Sequence, residues 1–269
     1  MYWYKVKTLL IYMFVAINIF LVVFIVHGKV RQNLYDMQEI KSLTGVLQNN
    51  DITVSEGILS KENRKIKTAT IENLISSGED MAKIMFGEQF DVITDENGAK
   101  KYVSGAKVIS AENGILNYAD TEAAPDNNLT EDKIQEAARL LIKYNIDVKG
   151  ASGEIHGDKV VFTYNYDGRR LFGNTLYVKL SGDKVCEIGG QVVKFKEKGK
   201  IKTKSTADAL VMFLRDKNRT DGEVKVVSAE LGYSVLLADE GISFKITETI
   251  PTYRITTDKN QQFYYDARQ

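Results

Sequence analysis

The chain has 269 residues, is 43% apolar and 27% charged, and balances 36 basic against 36 acidic side chains. That apolar content excludes a disordered chain, and the even charge offers nothing that would hold a nucleic acid. One cysteine excludes an internal disulfide framework, and two histidines leave no His/Cys spacing for a zinc site.

The first predicted element is an apolar run of eighteen residues from Leu9 to Val26, interrupted only by Tyr12 and Asn18. At ~1.5 Å per residue it covers roughly 27 Å, against ~30 Å of bilayer hydrocarbon, so it is expected to cross a membrane. Trp3, Tyr4 and Tyr12 then sit near the headgroups. Val26-His27-Gly28-Lys29 lacks the small-residue pattern of a cleavage site, so the run is expected to stay as an anchor and not to leave as a signal peptide. Residues 1–8 become a cytoplasmic tail and 9–26 a transmembrane helix. Lys5 and Lys7 tie with Lys29 and Arg31 in the positive-inside count, and only the terminal amine tips the N-terminus inward.

Asn18 lies at the centre of this run, where its amide does not reach water. A neighbouring helix could bond it, worth ~1–2 kcal/mol in model peptides and ~0.6 kcal/mol in measured proteins. The competing reading is an amide that bonds its own helix backbone.

After the span, Leu34, Met37, Ile40, Leu43 and Leu47 recur every three or four residues and predict an amphipathic stem that packs on its own domain. A helix is predicted near Ile71 to Phe86, then strands at FDVIT, KKYVS, AKVISA and GILNY with Glu-Asn-Gly turns between. The stem and these elements make a first α+β domain over 27–120. The segment 121–130, with Pro125 among Asn and Asp, is the boundary.

A second α+β domain over 121–269 repeats the pattern twice. Thr130 is expected to cap a helix with Ile134, Ala137, Ala138, Leu141 and Tyr144 on its apolar face. KVVFTYNY, an Asp167-Gly168 turn, LFGNTLYVKL and KVCEIGGQVV follow as antiparallel strands. Ser205-Thr206-Ala207-Asp208 reads as a capping box ahead of ALVMFL, with further strands to the C-terminus. The predicted class is α+β: one N-terminal transmembrane helix followed by repeated helix-plus-antiparallel-sheet units.

Catalytic chemistry finds no frame. His27 and His156 are isolated, and Cys186 reads as a small buried hydrophobe. No Walker loop, G-x-G-x-x-G, G-x-S-x-G or EF-hand pattern is present, so no cofactor, metal or enzyme activity is expected. Asn128-Leu129-Thr130 and Asn218-Arg219-Thr220 match glycosylation sequons at a frequency chance supplies.

The chemically unusual stretch is VKFKEKGKIKTK, with Lys194, Lys196, Lys198, Lys200, Lys202 and Lys204 at every second position. In an extended strand these ammonium groups would line one face at ~6.6–6.8 Å intervals, a comb for an anionic polymer or a lipid surface. The plainer reading is a sheet edge kept from sticking by its lysines.

The opening MYWYKVKTLLIYMFVAINIFLVV resembles the start of the YycI family, through Trp3, Lys7, Thr8, Ile11, Phe14, Asn18, Ile19, Phe20 and Leu21. AELGYSVLL, IPTYRITT and FYYDA resemble that family's closing strands, and VFTYNYDGRRLF matches less specifically between them. Tyr253 stands where the family has tryptophan, and the usual Asn-Ala-Phe-x-Gly ending is reduced to Asp266-Ala267-Arg268-Gln269. The resemblance implies a non-enzymatic single-pass membrane protein with its large domain outside the cytoplasm. It would regulate, with a YycH-like protein, the WalK (YycG) sensor histidine kinase that controls cell-wall metabolism. Asn18, Phe14 and Leu21 would meet partner helices in the lipid. The alternative function is a surface module that binds anionic wall polymer or lipid through the lysine-rich hairpin.

Overall fold

The computed structural model describes the main chain of residues 2–61, 63–75, 77–96, 98–218, 222–235 and 246–269, without the side chains of 2–6, 8–9, 16 and 23–36. Expectations resting on the side chains of Trp3, Tyr4, His27 and Leu34, on Arg219 and Thr220, or on 236–245 lie outside the described residues. In chain order the elements begin with α1 (Tyr2–Gln48), β1 (Ile52–Val54), β2 (Lys65–Asn73), α2 (Gly78–Phe86), β3 (Asp91–Thr94), β4 (Lys100–Ser104), β5 (Lys107–Glu112) and β6 (Ile115–Asp120). There follow α3 (Asp132–Lys143), β7 (Ala151–His156), β8 (Lys159–Tyr166), β9 (Arg169–Ser181), β10 (Lys184–Gly190) and β11 (Val193–Lys202). The last are α4 (Thr206–Arg215), β12 (Val224–Val235), β13 (Ile246–Thr257) and β14 (Gln262–Asp266).

The chain forms two compact units, one of residues 1–62, 205–228 and 255–262, the other of 63–204, 229–254 and 263–269. In the first, α1 is one continuous helix whose last turn buries Leu47 and contacts β1 and α4. The capping box that opens α4 forms as its spacing predicts: Ser205 Oγ accepts from Asp208 N at 3.2 Å and the Asp208 carboxylate accepts from Ser205 N at 2.8 Å. Behind that cap α4 buries Ala207, Ala209, Leu210 and Phe213. The short β1 runs parallel to the start of β12, Ile52 opposite Val224, both buried.

The second unit holds the larger core. Tyr164, Leu171, Leu176, Val178, Leu180, Ile188 and Tyr233 are buried there, with Ala137 and Leu141 from the apolar face of α3. Strand alternation explains the pattern, since β9 buries every second residue from Leu176 to Leu180 and leaves the others half-covered. The Asp167-Gly168 turn forms between β8 and β9 with φ of 51° and 72°, the left-handed pair a two-residue hairpin demands.

The expected class is corrected in two respects. The strands do not form separate repeated antiparallel units; they join one hydrogen-bonded mixed sheet of fourteen strands, in which β1–β12 and β12–β9 are parallel pairs. Sequence periodicity shows neighbouring hairpins, but pairings such as β2–β11, more than a hundred residues apart, come only from tertiary folding. The membrane-spanning helix is the second correction. Residues 9–26 are part of one 47-residue helix, and among the described residues no helix is long and apolar enough to cross a membrane.

Two local expectations also shift. The helix expected from Ile71 starts at Gly78, because Ile71 and Asn73 end β2, where Ile71 is fully buried; Ser77 provides the cap, accepting from Asp80 N at 3.1 Å. Thr130 does not cap α3. Its hydroxyl donates to the Asp132 carboxylate, and the capping position falls to Glu131, with no side-chain cap bond.

Candidate functional site

Three features carry chemistry that could recognise a ligand or partner. On α1, the large apolar side chains Leu10 to Val15, Ile17 and Ile19 to Val22 are all exposed. Asn18 sits among them, and its Nδ2 donates to the Phe14 carbonyl at 2.8 Å, one turn back along its own helix. One amide hydrogen is thereby committed to the backbone, leaving the other hydrogen and the oxygen of the side chain for a neighbour. Phe14 and Leu21 are exposed beside it.

The six lysines do not form a single row. Lys194 and Lys196 stand opposite Glu72 and Thr70 of β2, whereas Lys200 and Lys202 stand opposite Lys67 and Lys65. The register shifts between Glu197 and Gly199, so Lys198 falls in a bulge. Cross-strand partners share a face and β2 alternates, so the first and last pairs of lysines lie on opposite faces of the ribbon. Lys198 pairs with Glu248, and Lys204, past the strand, donates to the Asp266 carbonyl at 3.2 Å. Glu197 binds Lys67 at 2.9 Å, and that hydrogen bond, with the carboxylate charge, holds the Lys67 ammonium above its ordinary value.

The third feature is a cleft of about 750 Å³ in the second unit, lined by Arg64, Arg169 and Arg170 against Asp167 and Glu230, with Ser152, Asn165 and the β12 residues Ala229 to Leu231. Its position follows from the β8–β9 hairpin, whose tight turn sets Arg169 opposite Tyr166 and Arg170 opposite Asn165. Arg169 Nη1 donates to the Asp167 carbonyl at 2.9 Å and to its carboxylate at 3.1 Å. Arg170 Nη2 is held by Glu154, which His156 also approaches at 3.4 Å. Burial raises the Glu154 carboxyl, but the hydrogen bonds and charges of Arg170 and His156 together outweigh it and leave it below its ordinary value. Asn165 Nδ2 donates to Ser152 Oγ at 3.2 Å.

One side of the cleft is set by Gly232. A Cβ there would lie 2.5 Å from the Phe172 ring and 2.6 Å from the Arg170 carbonyl, so only glycine lets β12 close on β9. Next to it the Tyr233 hydroxyl donates to the Lys67 carbonyl at 2.6 Å, with its ring edge-on to Tyr166. Arg254 lies over the Phe172 ring at 4.7 Å and binds Glu230 at 2.5 Å. YDGRRLF and LGY carry part of the family resemblance, and beyond the Asp167-Gly168 turn their residue pattern points to no chemical role. The signal that could have found the site was the pair of adjacent arginines immediately after a hairpin turn.

Cys186 is buried, and burial pushes its thiol up, so it stays protonated at neutral pH. Among the described residues no group of three His, Cys, Asp or Glu could hold a metal ion.

No family model matches the sequence, and no curated protein matches it. Among solved structures the chain is similar to an uncharacterized protein from Eubacterium rectale ATCC 33656, at 12% identity and a TM-score of 0.46, over 82% of this chain and 90% of that one. It is also similar to YycH from Bacillus subtilis, at 12% identity and a TM-score of 0.48, over 74% of this chain and 52% of that one, about half the length of YycH.

Proposed function

We propose that the chain is a non-enzymatic regulator of a two-component sensor histidine kinase of the WalK (YycG) type, working with a YycH-like protein in the control of cell-wall metabolism. It acts outside the cytoplasm, at the surface of the cell membrane. The observation that carries this reading is the exposed apolar stretch of α1, Leu10 to Val22, in which Asn18 offers an unused half of its amide. So many adjacent large apolar side chains need cover, and partner helices or lipid supply it. The YycI-like residues at both ends of the sequence supply the choice of kinase.

A regulator of this kind biases the kinase between signalling states only by touching those states with different affinity. The test exchanges Leu10, Phe14, Asn18 and Leu21 for alanine, and separately Asn18 for leucine. Co-purification with the kinase and the YycH-like protein, and kinase output, are then measured in cells. The four-residue exchange is expected to abolish capture and to change output; capture that survives it ends the proposal. Asn18→Leu alone is expected to weaken capture several-fold, about the ~0.6–2 kcal/mol that a membrane amide hydrogen bond contributes.

A further inference from the structure

We propose that the free edge of β3 binds an extended peptide of alternating aliphatic and basic residues, which joins the sheet as an added strand. The inference goes beyond the kinase reading and does not rest on it, since β3 to β6 lie within the second unit. β3 ends the strand order of the sheet and pairs with β4 alone. The register shows which main-chain groups are left over. Asp95 N donates to the Ala99 carbonyl at 3.0 Å, so antiparallel alternation turns the groups of Asp91 and Ile93 toward β4 and those of Val92 and Thr94 away from it. Among the described residues no hydrogen bond reaches the main chain of Val92 or Thr94 from the far side. The N–H and C=O of both residues are therefore placed as an added strand requires.

The side chains show what that strand would carry. Tyr118, Ile109, Tyr102 and Val92 stand in register across β6, β5, β4 and β3. The first three are 3%, 0% and 6% exposed and Val92 is 52% exposed, so an apolar row that is buried as far as β4 runs out at the sheet edge. An aliphatic side chain on an added strand takes the next place in that row, ~4.5–5.5 Å from Val92. Ile93, on the other face, is 53% exposed as well. β3 has no lysine, proline or bulge, the devices that commonly keep an edge from other strands; only its length of four residues limits what it can bind.

Charge selects the partner and argues against a second copy of this chain. Glu88, Asp91, Asp95 and Glu96 surround the strand, and no basic residue lies between Lys83 and Lys100. Two copies joined at this edge would set the acids of one against the acids of the other. A basic side chain next to the aliphatic one falls on the opposite face, beside Asp91, because neighbours along a strand alternate. Lys101, opposite Ile93 on β4, shares that face. It stands two strand spacings, ~9.5 Å, from the added strand, whereas Asp91 stands one spacing away.

The experiment titrates the full chain with a fluorescent six-residue peptide alternating valine and lysine. Peptides with glutamate for lysine, or serine for valine, are run in parallel, and amide hydrogen exchange and molecular mass are followed. Saturable binding of the valine-lysine peptide is expected, at least tenfold tighter than either control, with exchange slowed over 91–95. Val92→Pro removes an outward N–H where an edge strand tolerates proline, and is expected to weaken binding at least tenfold. Thr94→Pro does the same at the other outward residue and keeps the test open if Val92→Pro fails to fold. Asp91→Asn is expected to weaken binding several-fold. No binding by the native chain, equal binding of either control peptide, protection outside 91–95, or undiminished binding in a folded proline variant would each overturn the proposal. So would self-association that Val92→Pro abolishes, since it would give the edge to a second copy.

Discussion

The arginine cleft and the lysine strand of the second unit both gather basic side chains, and they differ in how those side chains are held. The lysines of β11 are more numerous and stand out in the sequence, yet a bulge at Lys198 divides them between two faces, and all of them are exposed. The arginines are few, but a hairpin turn and a strand crossing hold them in a concavity, with a carboxylate behind Arg169 and another behind Arg170. Charge recognises a ligand when its direction is fixed; unfixed charge on a free strand edge mainly keeps other strands away.

The strongest way to break this contrast is to deform the cleft. Gly232→Ala forces a Cβ against the Phe172 ring and the Arg170 carbonyl, and the main-chain oxygen has little room to retreat. Overpacking of this kind is expected to cost about 1–3 kcal/mol, read as a lower urea midpoint or melting temperature. Equal stability would show that the second unit does not depend on the close approach of β12 to β9.

Acid and alkali should separate the two regions. The Glu154 carboxyl is depressed in the folded chain, so the unfolded chain binds protons more readily. Its contribution is present above the ordinary carboxylate value near ~4 and is lost as pH falls through its lower folded value. Asp158 and Glu187, both held at 3.0 Å by Lys179, are depressed as well and act in the same direction. Lys67, beside the lysine strand, is raised by Glu197, so its contribution is complete below the ordinary lysine value near ~10.4 and disappears as pH rises through its folded value. Urea midpoints measured from pH 3 to 11 are expected to fall at the acid end in the native chain and less steeply in Glu154→Gln. In Glu197→Gln only the alkaline limb should change.

The smallest effect is expected from the lysines themselves. Replacing Lys194, Lys196 and Lys202 with glutamine should shift stability by no more than about 0.5 kcal/mol, as surface changes usually do. Self-association seen by light scattering should increase, because the β11 edge loses its charge. Salt-sensitive binding of the native chain to anionic vesicles, abolished in this variant, would instead return the lysines to the role of a ligand surface.

Much of the local structure was legible beforehand. KVVFTYNY is β8 residue for residue, the Asp167-Gly168 pair is its turn, and the Ser205–Asp208 box opens α4, because each depends on neighbours a few positions away. β7 was legible only as a short Gly-bounded strand around His156; ASGEIH has neither the large side chains nor the alternation that would give its extent, which pairing with β8 sets. Ile71 was placed at the start of a helix, but its pairing with Phe195 across the sheet makes it part of β2. The cleft could not be read at all: Arg64, Glu154, Arg169, Arg170 and Glu230 meet only once β7, β8, β9 and β12 are in place.

The amino-acid order by itself determined where the hairpins turn, which faces of α3 and α4 are apolar, and that 9–26 is a continuous hydrophobic run, because each is a pattern over a few residues. The tertiary structure alone decided that the strands share one mixed sheet, that the lysines divide, and that the arginines converge. Strand register and the pairing of distant segments decide those outcomes, and a shift of one residue in a ladder moves a side chain from one face to the other.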